Sequence, residues 1–302
     1  MKKIIFIFIF NALVASTQFD TVWGKCNLIN NQNILSDSIV QKIILSKISN
    51  LNNQFKKPII KKKFSVFIDD GNMKINNKHW HWSLGITYSS PEKIIIKDPS
   101  FAHISINRFE QVLLHELNHI MMNRIDFHKS IPRWFKEGFA LYFSDEISLN
   151  HKLQISKHLY DATLFNLESL DTFSNFDKQR FNLAYAQSAV YVLSIQKLFG
   201  DNTLQNIYNG LYSGKTFNDS FYDATTKNIN EYNQLAYPYI KNKYKWYKLI
   251  TLPNQLFSFL PLLLIVGFIL RSIQNKKIKE KWELEEKLEI EEKLENSKFS
   301  DI

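Results

Sequence analysis

Two histidines four residues apart, with a glutamate directly after the first, constrain this chain more than any other feature. In His115-Glu116-Leu117-Asn118-His119 the i,i+4 spacing, read as a helix, sets both imidazoles on one face within reach of one ion. Glu116 then stands beside the ion, where it can take a proton from an activated water. Zinc takes imidazole nitrogens and carboxylate oxygens in a tetrahedron, and a catalytic site keeps one position open. Glu137, in Trp134-Phe135-Lys136-Glu137-Gly138-Phe139-Ala140, falls on the next predicted helix and can supply a third ligand. A compatible fold must therefore pack these two helices so that His115, His119 and Glu137 meet.

The surrounding pattern supports such a fold. Phe109, Val112, Leu113, Leu117, Ile120 and Met121 give Asn107 to Asn123 an apolar helical face. Pro132 suits the first turn of the following helix. Residues 180–199 predict another helix, ended by Gly200, and helical material continues to about residue 245. Upstream, Ile39, Ile43, Ile44, Ile48 and Leu51 predict a leading helix within residues 27–56. Phe64 to Asp69, Trp82 to Tyr88 and Lys93 to Lys97 read as strands, with Ser89 to Glu92 as a turn. The expected class is α+β, a small N-terminal sheet packed on a mostly helical catalytic domain.

Two apolar segments flank that domain. Lys2 and Lys3 precede a short apolar run through Ala15, too short to span a bilayer, which reads as a signal peptide cut near residue 16 or near Gly24. Leu249 to Leu270 is charge-free and, as a helix, long enough to cross the hydrocarbon layer. Arg271, Lys276, Lys277 and Lys279 follow it and place that end in the cytoplasm. The reading is a signal peptide over 1–24, an extracytoplasmic domain over 25–245, a transmembrane helix over 249–270 and a charged cytoplasmic tail over 271–302. In the tail, Glu283 with Lys287 and Glu289 with Lys293 are helix-supporting pairs, and a cytoplasmic partner could dock there.

The net charge of +9 is spread over the chain, with clusters at Lys56, Lys57 and Lys61 to Lys63 and again at Lys276 to Lys281. No nucleic-acid motif accompanies them, so they read as surface charge. Cys26 is the single cysteine, which excludes an internal disulfide, and Lys25 before it does not fit a lipidated cysteine. His79 and His81 share one side of a strand-like segment and read as a solvated or structural pair. His103, His128, His151 and His158 lack partners at ligand spacing.

Residues 93–144 resemble the gluzincin, or MA-like, metallopeptidases, which pair a His-Glu-x-x-His helix with a Glu from a second helix. Pro132 to Ala140 is similar to the Pro-x-Trp-Phe-x-Glu-Gly-x-Ala segment of that group. The resemblance implies a zincin-like fold, one Zn2+ per chain held by His115, His119 and Glu137, and Glu116 as catalytic base. Related enzymes often place a Tyr opposite the developing oxyanion; Tyr185 is the candidate here, with Tyr191 second. The Gly-x-Met-Glu-Asn segment of the aminopeptidase branch is missing between Phe64 and Glu110. Leu141 stands where thermolysin-like enzymes carry an Asp, so the hydrogen-bond partner of the ligating histidines must come from elsewhere. The expected activity is endopeptidase cleavage of peptides or proteins outside the cytoplasm. The alternative is a catalytically silent binding or assembly module at the membrane.

Overall fold

The computed structural model describes residues 16–30, 35–57, 59–69, 74–75, 78–79, 83–172, 177–247 and 259–299. The predicted leader before Ser16, Trp80 to Trp82 and the first part of the predicted span lie outside them.

A five-stranded sheet opens the chain. Its strands are β1 (Ser16–Thr21), β2 (Gly24–Asn30), β3 (Phe64–Asp69), β6 (Gly85–Ser89) and β7 (Glu92–Lys97), in the order β1-β2-β3-β7-β6. Lys74–Ile75 (β4) and Lys78–His79 (β5) pair as a separate small hairpin. β2, β3 and β7 run parallel, while β1 and β6 are antiparallel edges. Ile94, Ile95 and Ile96 of β7 are all buried, as a strand covered on both faces requires. The parallel step from β2 to β3 is bridged by helix α1 (Asp37–Phe55), which lays Val40, Ile44, Ile48, Leu51 and Phe55 into the core.

The N-terminal end departs from the sequence expectation. β1 begins inside the stretch read as a leader, and the predicted leading helix starts only at Asp37. In β2, Cys26, Leu28 and Asn30 are buried in alternation with more exposed Lys25, Asn27 and Ile29. That period of two is masked by its polar residues. Asn30 is accommodated because its amide donates to the Leu35 carbonyl at 2.7 Å and to Asp37 at 3.1 Å. Ile39, expected on the core face of α1, is 46% exposed.

Helix α2 (Ile106–Ile125) carries the two-histidine motif and packs on β6 and β7; its N-cap Ser105 accepts from the Arg108 amide. α3 (Arg133–Phe143) follows, with Pro132 at its N-cap position. α4 (Leu149–Tyr160), α5 (Lys178–Phe199), α6 (Thr203–Tyr212), α7 (Phe217–Thr225) and α8 (Ile229–Tyr244) complete the helical layer. Asp177 caps α5 by accepting from the Gln179 and Arg180 amides, and Gly200 ends it at φ 104°. α3 and α5 pack tightly at Gly138, where a Cβ would lie 2.3 Å from the Ser188 carbonyl oxygen.

Arg124, near the end of α2, is buried and ties the sheet to the helices. Its guanidinium donates to the carbonyls of Trp23, Ile60 and Lys62 and pairs with Glu92 at 2.6 Å. Trp23, in the β1–β2 turn, is fully buried beside it.

The C-terminal unit, from residue 248, is described separately. Phe259–Phe299 (α9) is one continuous helix whose apolar first part is exposed, and Phe259–Lys287 is long and apolar enough to cross a membrane. The tail portion pairs Lys279 with Glu283 and Lys281 with Glu285.

Candidate metal centre

α2 presents His115 and His119 from one face, one turn apart. Their Nε2 atoms lie 3.1 Å from each other. α3 brings Glu137 to the same point, with Oε2 at 3.3 Å from His119 Nε2 and 3.7 Å from His115 Nε2. The circle through those three atoms has a radius of about 2.0 Å, which matches Zn–N and Zn–O lengths of ~2.0–2.2 Å. Glu137 Oε2 is buried and makes no aligned hydrogen bond. Two imidazole nitrogens and a carboxylate oxygen thus converge, and together they could hold a metal ion.

The electrostatics agree. Burial opposes a charge on His115, but its contacts with Glu137 and Glu146 outweigh it and push the imidazole up to about 10. Burial would raise Glu137, yet the two imidazoles prevail and hold its carboxyl well below the usual range. The site draws positive charge to this spot, as a proton or as a cation.

Glu116 lies beside the cluster, close enough to feel both imidazoles and Glu137. Thr87 of β6 donates to its carboxylate at 2.6 Å and to its backbone carbonyl at 3.1 Å. Gly85 makes the room: a Cβ there would sit 2.6 Å from Glu116 Oε1. Burial raises the Glu116 carboxyl, against the pull of both imidazoles. Tyr185, on α5, lies in the site as well. Its ring stacks along His115 at 6.5 Å and its hydroxyl reaches the Glu137 carboxylate. Burial, then Glu137 and Glu116, keep its phenol protonated well above the normal range. Tyr191 is elsewhere: it packs on Trp134 and donates to Asn233 at 2.8 Å.

The sequence reading misses Glu146. Its Oε2 lies 2.7 Å from His115 Nδ1 and accepts from Ser144 Oγ at 2.7 Å, while Oε1 meets Arg108 at 2.6 Å. The contact with Nδ1 is short but off the N–H axis. No local motif announces this residue; the available signal is a carboxylate just beyond the end of the helix that carries Glu137. His103, His128, His151 and His158 stand outside the cluster.

Two cavities flank it. One of about 540 Å3 runs past His115, Arg108, Glu146 and Gln154; one of about 270 Å3 runs past His119, Asn123 and Arg133. Gly85, Glu116, Phe181 and Tyr185 line both.

A family profile described as Peptidase MA superfamily matches residues 32–242, a stretch that includes every residue of the cluster. A comparison with curated proteins gives no match.

Proposed function

Because this chain belongs to the Peptidase MA superfamily, we propose that it is a membrane-anchored zinc peptidase that cuts within peptide chains outside the cytoplasm. The observation that carries this reading is the convergence of His115, His119 and Glu137 on one point with Glu116 beside it. Their two-nitrogen, one-oxygen donor set suits zinc. When bound there, zinc supplies a Lewis acid that acidifies water and polarises a carbonyl. Glu116, held by Thr87, takes the proton of the attacking water and passes it to the leaving amine. Its raised affinity for protons brings it nearer the operating pH of a general base. Tyr185 stays protonated and donates a hydrogen bond to the developing oxyanion.

Cavities on both sides of the cluster support cleavage inside a chain rather than trimming at an end. The apolar helix from Phe259 supports anchorage, and the basic residues after it support a cytoplasmic tail. The leader, removed during export, would put the domain on the opposite side.

The test is metal analysis of the purified full-length protein, with cleavage of internally quenched peptides by wild type and Glu116→Gln. One zinc per chain is expected in both, and cleavage should fall by about 10²–10⁴-fold in the variant. Absence of metal overturns the reading. Zinc with no cleavage by wild type supports the silent binding module instead.

A further inference from the structure

We infer that Glu146 is a positioning residue for the metal centre, acting through His115, and that Arg108 and a turn at Asp145 hold it in place. The inference rests on the reading of His115 as a metal ligand. The two nitrogens of that ring face opposite ways. Nε2 looks toward His119 and Glu137, while Nδ1 lies 2.7 Å from Glu146 Oε2. A carboxylate this close to Nδ1, though off the N–H axis, favours a proton on that nitrogen through its charge and leaves the Nε2 lone pair free. It also makes the ring a stronger donor. With the proton on Nε2, the ring could not bind a cation through the nitrogen that faces His119 and Glu137. Among the described residues, His119 interacts with His115 and Glu137 and has no such carboxylate behind it. The burden of orienting the pair therefore falls on one side.

The surroundings are built for the task. Glu146 is 9% exposed, and both its oxygens are engaged, by Arg108 on one and by Ser144 with His115 on the other. Its backbone is fixed too. Glu146 N donates to the Leu141 carbonyl at 3.0 Å and Asp145 N to Tyr142 at 3.3 Å, around Asp145 at φ 56°. This 6→1 and 5→2 pair is a Schellman turn, which reverses the chain after α3. The helix that delivers Glu137 thus also delivers, from its end, the group that aims Glu137's neighbour. Arg108 sits two turns before His115 on α2, so the charge that balances Glu146 comes from the same helix as the ligand.

The test uses full-length protein in detergent, stripped by a chelator, with zinc affinity measured by competition against a fluorescent indicator. Glu146→Ala should weaken binding about 10–100-fold. Glu146→Gln, which keeps the shape and an acceptor but not the charge, should fall between it and wild type. Cobalt loading supplies a second readout: the visible absorption of the bound ion should shift in both variants, which a loss of bulk stability alone would not produce. Zinc affinity within about twofold of wild type in both variants, with an unchanged cobalt spectrum, overturns the inference and leaves the metal site standing. A wild-type chain that binds neither ion overturns the reading beneath it. If Glu146→Ala fails to fold, Glu146→Gln decides alone.

Discussion

Gly85 shows how narrowly the surroundings of Glu116 are drawn. A methyl group there would press on the buried Glu116 carboxylate and displace it. Gly85→Ala should lower peptide cleavage about 10²-fold while leaving zinc content at one per chain, as measured by steady-state kinetics beside metal analysis. Retained activity would mean that Glu116 tolerates displacement. A second expectation concerns protons. In the metal-free chain the His115 imidazole is pushed up to about 10 by Glu137 and Glu146, so it is charged at pH 7. A ligand must be unprotonated to bind, so metal uptake expels that proton. Zinc affinity should rise with pH, approaching tenfold per unit near neutrality. Calorimetry in buffers of different ionisation enthalpy measures the release; heat independent of buffer would contradict it. The motif itself is legible in sequence because both histidines belong to one helical period. Thr87 is not, since 29 residues separate it from Glu116 and only the β6–α2 contact joins them.

Helix α3 carries more than a ligand. Its Gly138 lies against the Ser188 backbone of α5, where no flexible side chain can yield. Gly138→Ala should therefore destabilise the domain by about 1–3 kcal/mol, read as a lowered denaturant midpoint. An unchanged midpoint would show that α3 and α5 can separate cheaply. At the other end of α3, Asp145 occupies the left-handed region that glycine prefers. Asp145→Gly should leave stability the same or raise it by up to ~1 kcal/mol, whereas Asp145→Val should lower it and weaken zinc binding as Glu146 shifts. α2 and α5 are readable because their apolar periods are long, and they extend the expected spans by a few residues at most, whereas α4, with only Ile155 and Ser156 buried, has no such period. β1 and β2 are not readable, because a short edge hairpin rich in Asn, Lys and Thr alternates in burial without alternating in hydrophobicity. The partner of His115 is illegible in the sequence for a related reason. A turn, rather than a periodic segment, presents it.

At the scale of the whole molecule, the helix from Phe259 predicts how the protein fractionates. The full chain should remain with membranes through alkaline carbonate washing, and a chain truncated at Tyr247 should be released. Release of the full chain would remove the anchor from the account. Protease added to intact cells should spare the tail and reach the domain; the reverse pattern would invert the proposed orientation. The grip of Arg124 on the Trp23 carbonyl also bears on maturation. A leader peptidase cutting at Gly24 would discard an edge strand, empty the slot filled by the indole and leave a buried guanidinium short of an acceptor. A cut ahead of Ser16 spares all three. N-terminal sequencing of the mature protein should thus begin at or before Ser16, and the hairpin that looks like the remnant of an export signal becomes the first stitch of the finished domain.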